Sequence, residues 1–352
     1  MFHKHTAFLP IAWGLVITLF LTASCTKGNQ NPHPDISAVP DPGVQIVRLD
    51  QMLAKANGGN YREVFTQIEA EYPDAFTAYY RNFWGLAPSD SLPMDALYDS
   101  LYLNAVGNAW MRRLYDSVQL VYPDLAPVQK DLNTAFRYFK YYFPDSTLPN
   151  VFSYIGPFVY WTMIDSNSLG IELDMYMGKH FSNYGIFENN MPKYISYRCD
   201  EPFIVTNVMQ TLMDGNMYSN GPEASLLDEM LREGKLLYYL DCVLPDTEDS
   251  VKMGYTAQQL QWCYDNESEI WKFLAGEDLL FSKRSDDLRR YIGEAPTSTG
   301  MPDEAPGRVA VWVGWQIVRK YMHENPEVRL EELFAEPDAM KILKSANYKP
   351  AG

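Results

Sequence analysis

Glu201-Pro-Phe-Ile-Val-Thr-Asn-Val-Met-Gln-Thr-Leu-Met-Asp-Gly-Asn-Met-Tyr-Ser-Asn-Gly-Pro-Glu-Ala-Ser-Leu-Leu-Asp-Glu-Met-Leu-Arg-Glu-Gly-Lys-Leu-Leu-Tyr-Tyr-Leu240 is the stretch whose spacing decides the fold. It predicts two helices joined by a turn. Pro202 suits a first helical turn, where its missing N–H costs little. Phe203, Ile204, Asn207, Val208, Thr211 and Leu212 then recur at helical spacing. Asp214-Gly215-Asn216 stops that helix. From about Glu223 to Leu240, the residues Leu226, Leu227, Met230, Leu231, Leu237 and Leu240 form the apolar stripe of a second helix.

Just upstream the period changes from helix to strand. Val151 to Ile155, Phe158 to Ile164 and Leu169 to Leu173 read as strands, punctuated by Gly156-Pro157 and by Asp165-Ser-Asn-Ser168. Links this short predict antiparallel hairpins. Val44 to Leu49 alternates as a further strand, and Asp50 is expected to cap a short helix. Helical patterns follow over 60–71, 95–120 and 127–142. In the last, Val128, Leu132, Ala135, Phe136 and Phe139 make one unbroken face. Beyond the quoted stretch, Thr256 is expected to cap a helix reaching about Ala275. Further helices are expected over 285–291 and 308–322, then two short amphipathic turns over 330–334 and 338–343. The expected fold class is α+β, mostly helical, with a small antiparallel sheet packed against helices.

The chain has 352 residues, 47% hydrophobic and 14% aromatic, too apolar for a disordered protein. Its formal charge of −16 repels phosphate backbones and excludes nucleic acid as an expected partner. The N-terminus has the plan of a secretory signal: Lys4, an apolar run from Ala7 to Leu21, then Leu21-Thr-Ala-Ser-Cys25. Cysteine directly after small residues resembles a bacterial lipoprotein signal, cut before a lipidated Cys25. The apolar run is short for the roughly 20 residues of a spanning helix, so the expectation is a lipid anchor in the membrane. The expected organisation is a signal peptide over 1–24, a flexible Gly-, Pro- and Asn-rich tether over 25–43, and one globular domain over 44–352. Cys199, Cys242 and Cys263 allow at most one disulfide.

A sheet, a buried helix and a second helix carrying Glu233-Gly234 is the layout of a zinc peptidase core, but the zinc site is missing. Such a site needs two imidazoles one helical turn apart with a carboxylate between them to activate water. Here Met209 and Met213 stand at the ligand positions and Gln210 at that of the base. Glu233 fits a third ligand but cannot hold zinc alone. The expectation is therefore a degenerate zincin-like core with no metal, no cofactor and no catalysis. Met209 and Met213 otherwise read as core, Glu233 as a paired carboxylate, and His180 as an ordinary loop histidine.

Two other constellations carry chemistry. Glu172 and Asp174 share a strand face near Asp165, a pairing that glycosidases use at a set separation. With 25 Tyr and 8 Trp, this makes glycan binding or cleavage the alternative function. Arg308, Trp312, Trp315, Gln316 and Arg319 are candidate partner-binding residues, because Trp and Arg anchor interfaces. Otherwise both tryptophans close the core and both arginines pair with carboxylates.

Several segments together resemble one family. They are Cys25 after its signal, Tyr141-Tyr-Phe-Pro144, Leu173-Asp-Met-Tyr-Met-Gly178, Lys252-Met-Gly-Tyr-Thr256, Gln261-Trp-Cys263 and Pro306-Gly-Arg-Val-Ala-Val-Trp-Val-Gly-Trp-Gln-Ile-Val-Arg319. The chain is similar over nearly its whole mature length to the gliding-motility lipoprotein GldB family of Bacteroidetes. The resemblance implies an envelope lipoprotein needed for gliding, with no established enzymatic activity and a fold related to predicted zinc-dependent peptidases. Thr26, not Asp, follows Cys25, which favours the outer membrane, and no acidic run follows the cysteine, which favours the periplasmic face. The expected partner is a protein of the motility or secretion machinery.

Overall fold

The computed structural model describes residues 33–350 apart from 90, 186–190, 216, 218, 219, 222 and 277. The signal peptide, Cys25 and the first part of the tether lie outside the described residues. Four strands form one sheet in the order β1-β2-β4-β3: β1 (Ile46–Arg48), β2 (Asn150–Tyr154), β3 (Thr162–Asp165) and β4 (Ser168–Glu172). Helices before β2 are α1 (Leu49–Ala54), α2 (Tyr61–Glu71), α3 (Pro73–Ala78), α4 (Met94–Leu101), α5 (Ala109–Val121) and α6 (Ala126–Tyr142). After β4 come α7 (Lys193–Ser196), α8 (Phe203–Asp214), α9 (Leu226–Val243), α10 (Asp249–Met253), α11 (Ala257–Asp265), α12 (Glu267–Gly276) and α13 (Ser285–Tyr291). The last three are α14 (Val309–Glu324), α15 (Leu330–Ala335) and α16 (Ala339–Ala346). The fold is mostly helical α+β.

The sheet is mixed, which corrects the expected antiparallel one. β1 pairs with β2 and β2 with β4 in parallel, and only β3 and β4 are antiparallel. The expected strand over 158–164 begins only at Thr162. The physical cause is Glu172 and Asp174. Asp174 accepts the N–H groups of Gly156 and Phe158, at 2.9 and 3.1 Å. Glu172 accepts those of Val159 and Tyr160, at 2.9 and 2.7 Å. Backbone donors committed to buried carboxylates cannot also serve a ladder. The segment is pulled away as a loop, and β4 takes the place beside β2 that a hairpin would have given β3.

Two expected long helices are divided. Residues 95–120 become α4 and α5, parted at Gly107-Asn108, and the Asn108 side chain accepts the N–H groups of Trp110 and Met111 as a helix cap. Residues 257–275 become α11 and α12, parted at Asn266. Thr256 opens α11 through a reciprocal cap with Gln259, and Ser225 does the same for α9 with Asp228. Asp50 is not a cap. It is fully buried and binds Arg48, Ser153 and Gln119, tying α1 to β2 and α5.

α8 lies on the sheet, with the Thr162 and Thr211 hydroxyls 2.5 Å apart. α9 crosses α14 at two glycines. A β-carbon on Gly234 would come within 2.4 Å of the Gly314 carbonyl oxygen, and one on Gly314 within 1.9 Å of that of Met230. The two backbones therefore touch, and α14 is buried on every side from Val309 to Trp315.

Candidate functional site

The α8 positions are filled, not open. Met209 is fully buried and Met213 nearly so, while Gln210 is partly exposed. Thioethers on the inner face of an apolar helix pack as core. Glu233, on α9, sits among arginines: Arg232 at 2.6 Å and Arg308 at 3.8 Å. Burial pushes its carboxyl above the ordinary range, against the pull of Arg308 and Arg232. Arg308 also reaches Glu294 at 3.6 Å, and Arg198 pairs with Glu294 at 3.0 Å, so Glu233 belongs to a charge chain linking the start of α14 to α9. Among the described residues no group of three or more His, Cys, Asp or Glu could hold a metal ion. Cys199, Cys242 and Cys263 are free and buried. Burial pushes the Cys199 thiol up to about 12.

The remaining α14 candidates form a second, denser network. Asp241, fully buried on α9, accepts hydrogen bonds from Trp315 Nε1 at 2.9 Å, Arg319 Nε at 2.7 Å and Lys252 Nζ at 3.0 Å. Arg319 bonds Asp249 through both terminal nitrogens, at 2.8 and 2.9 Å, and lies 3.7 Å over the Trp315 ring. Tyr264 donates to Asp249 at 2.9 Å and meets the Trp312 ring edge-on. Neither tryptophan reaches solvent. Arg319 is committed to the two carboxylates, and the Gln316 side-chain amide nitrogen is buried without a partner in the described structure. Asp241, Asp249 and Lys252 escaped the sequence reading. The signal for Asp241 was present, since a lone charge inside Leu236-Leu-Tyr-Tyr-Leu-Asp-Cys-Val243 demands a buried counter-charge.

Glu172 and Asp174 are both fully buried. Tyr154 also donates to Glu172, at 3.2 Å, and no cation faces the pair among the described residues; Tyr79, Tyr115, Tyr154 and Tyr176 surround it. A glycosidase pair must flank a substrate bond, whereas these carboxylates are sealed around their own loop. Burial pushes the Asp174 carboxyl up to about 7, against the N–H groups of Gly156 and Phe158; burial and the Asp174 charge push Glu172 well above its ordinary value. Native values raised above the unfolded ones mean stability present below about pH 4 that is lost as pH rises through about 7. The destabilisation caused by Asp174→Asn is therefore expected to be larger at pH 5 than at pH 8, read from urea midpoints. An equal loss at both would show that the pair does not titrate as described.

Two grooves flank α8. One, of about 570 Å³, is lined by Met213 with Phe139, Phe143, Met217 and Phe334. The other, of about 420 Å³, lies between α6, the start of α8 and the end of α9.

These features define a mostly helical α+β scaffold held by buried charge networks, with Met209 and Met213 packed as core on α8. The family model for gliding motility protein GldB matches residues 29–350, and the chain belongs to that family. No curated protein and no solved structure matches the chain. No helix among the described residues is long and apolar enough to cross a membrane.

Proposed function

We propose that the chain is a noncatalytic lipoprotein of the cell envelope that holds a protein partner of the gliding or secretion-associated machinery. Cys25 carries the lipid, in the outer membrane with the domain facing the periplasm. The observation that carries this reading is the extent of the family match, residues 29–350, nearly everything after the expected signal. The donor set supports it: Met209 and Met213 offer only soft thioethers, which do not suit zinc, and Glu233 is engaged with Arg232 and Arg308. Met209, at the expected peptidase-like cleft, is fully buried as core. We therefore assign docking to a groove beside α8.

Anchoring is tested by Cys25→Ala. The variant is expected in the soluble fraction and unable to restore gliding to a strain lacking the protein, with an unchanged unfolding transition. Continued membrane association of the variant would remove the anchor from the account.

A further inference from the structure

Of the two grooves beside α8, the one between α6 and the end of α9 states the chemistry of its occupant. Val243 and Leu244, both buried, form part of its floor with Val205. Asp131, Glu201 and Asp246 stand exposed on its rim. No lysine or arginine lines it. The three carboxylates make no ion pair among the described residues. On α6, Arg137 is committed to the carbonyls of Ile36 and Val39 at 2.8 and 3.1 Å, and Lys130, next to Asp131, is exposed and does not line the groove. Inside the groove, Thr206 is 2% exposed.

Three like charges around one concave apolar surface repel one another and focus a negative potential into it. The end of α9 adds a partial negative charge and the start of α8 a partial positive one, which offset. The full charges therefore decide the sign. We propose that this groove docks a lysine- or arginine-bearing segment of the partner protein, seating one apolar side chain on Val243 and Leu244 with the cations among Asp131, Glu201 and Asp246. A free polyamine satisfies the charges but leaves the apolar floor unfilled. The inference rests on the docking role proposed above and names where and what that role binds.

The test places the photocrosslinking residue p-benzoylphenylalanine at Tyr138, a lining residue, in the full chain in gliding cells. The expected result is a crosslink to one protein segment bearing basic and apolar residues. Combining Asp131→Asn, Glu201→Gln and Asp246→Asn is expected to lower its yield about tenfold or more, with an unchanged unfolding transition. A crosslinked segment without basic residues, or a yield indifferent to the triple change, overturns the groove assignment. If the same reagent at exposed positions on other faces captures a defined partner while Tyr138 captures none, the groove falls and the docking role stands. If no face captures a partner, both fall.

Discussion

Asp241→Ala is expected to lower the unfolding free energy by about 3–5 kcal/mol, because removing one member of a buried ion network strands the others. Lys252, whose side chain is fully buried, keeps only Asp249 at 3.8 Å. Trp315 loses the acceptor for its ring N–H, and Arg319 retains Asp249 alone. Domains commonly have about 5–15 kcal/mol in total, so the variant is expected to be marginal or unfolded at 37 °C. Asp249→Ala is the graded control. Its carboxylate is closer to solvent, and it leaves Asp241 to hold both cations, so a smaller loss is expected. Urea denaturation followed by tryptophan fluorescence measures both. An Asp241→Ala loss below about 1 kcal/mol, the scale of an exposed pair, would mean that the network is not desolvated as described.

Gly314→Ala is expected to cost about 3 kcal/mol, the upper part of the overpacking range. Two effects oppose each other. Alanine gains about 1 kcal/mol over glycine in helix propensity. Against that, the new methyl lies 1.9 Å from the Met230 carbonyl oxygen, which is backbone and cannot rotate aside. α9 and α14 must separate, and the contact that joins the two halves of the helical layer loosens along its length. Gly276→Ala supplies the contrast. A β-carbon there meets nothing within 4 Å, so that change is expected to be neutral or slightly stabilising. Calorimetric melting of the three proteins decides the matter. Equal melting temperatures for Gly314→Ala and the parent chain would show that the helices do not cross at their glycines.

The amphipathic helices were legible because each buries one face: α6 on Val128, Leu132, Ala135, Phe136 and Phe139, and α8 on Phe203, Ile204, Val208 and Leu212. The cap at Thr256 was legible from its side-chain chemistry, whereas the cap expected at Asp50 is instead a buried ion-pair carboxylate. Illegible features depended on partners distant in sequence. Period-2 spacing cannot reveal that the donors of residues 156–160 belong to Glu172 and Asp174, so the strand over 158–164 was overdrawn and the parallel pairing missed. Nothing local at Gly234 or Gly314 announces that each faces the other's helix. Glu172 and Asp174 were visible as a pair, but only their depth distinguishes a loop clamp from catalytic acids. Trp312 and Trp315 were visible as large aromatic residues, and only the packing of α14 against α9 and α12 decided that they face inward.

The central claim is that the chain works by holding a partner rather than by metal-assisted cleavage. The most direct test is the zinc content of the purified full-length lipoprotein, measured by plasma mass spectrometry alongside hydrolysis of a casein substrate. The account predicts far less than one zinc per chain and no cleavage. One zinc per chain, with hydrolysis abolished by chelator and by Glu233→Ala, would contradict it.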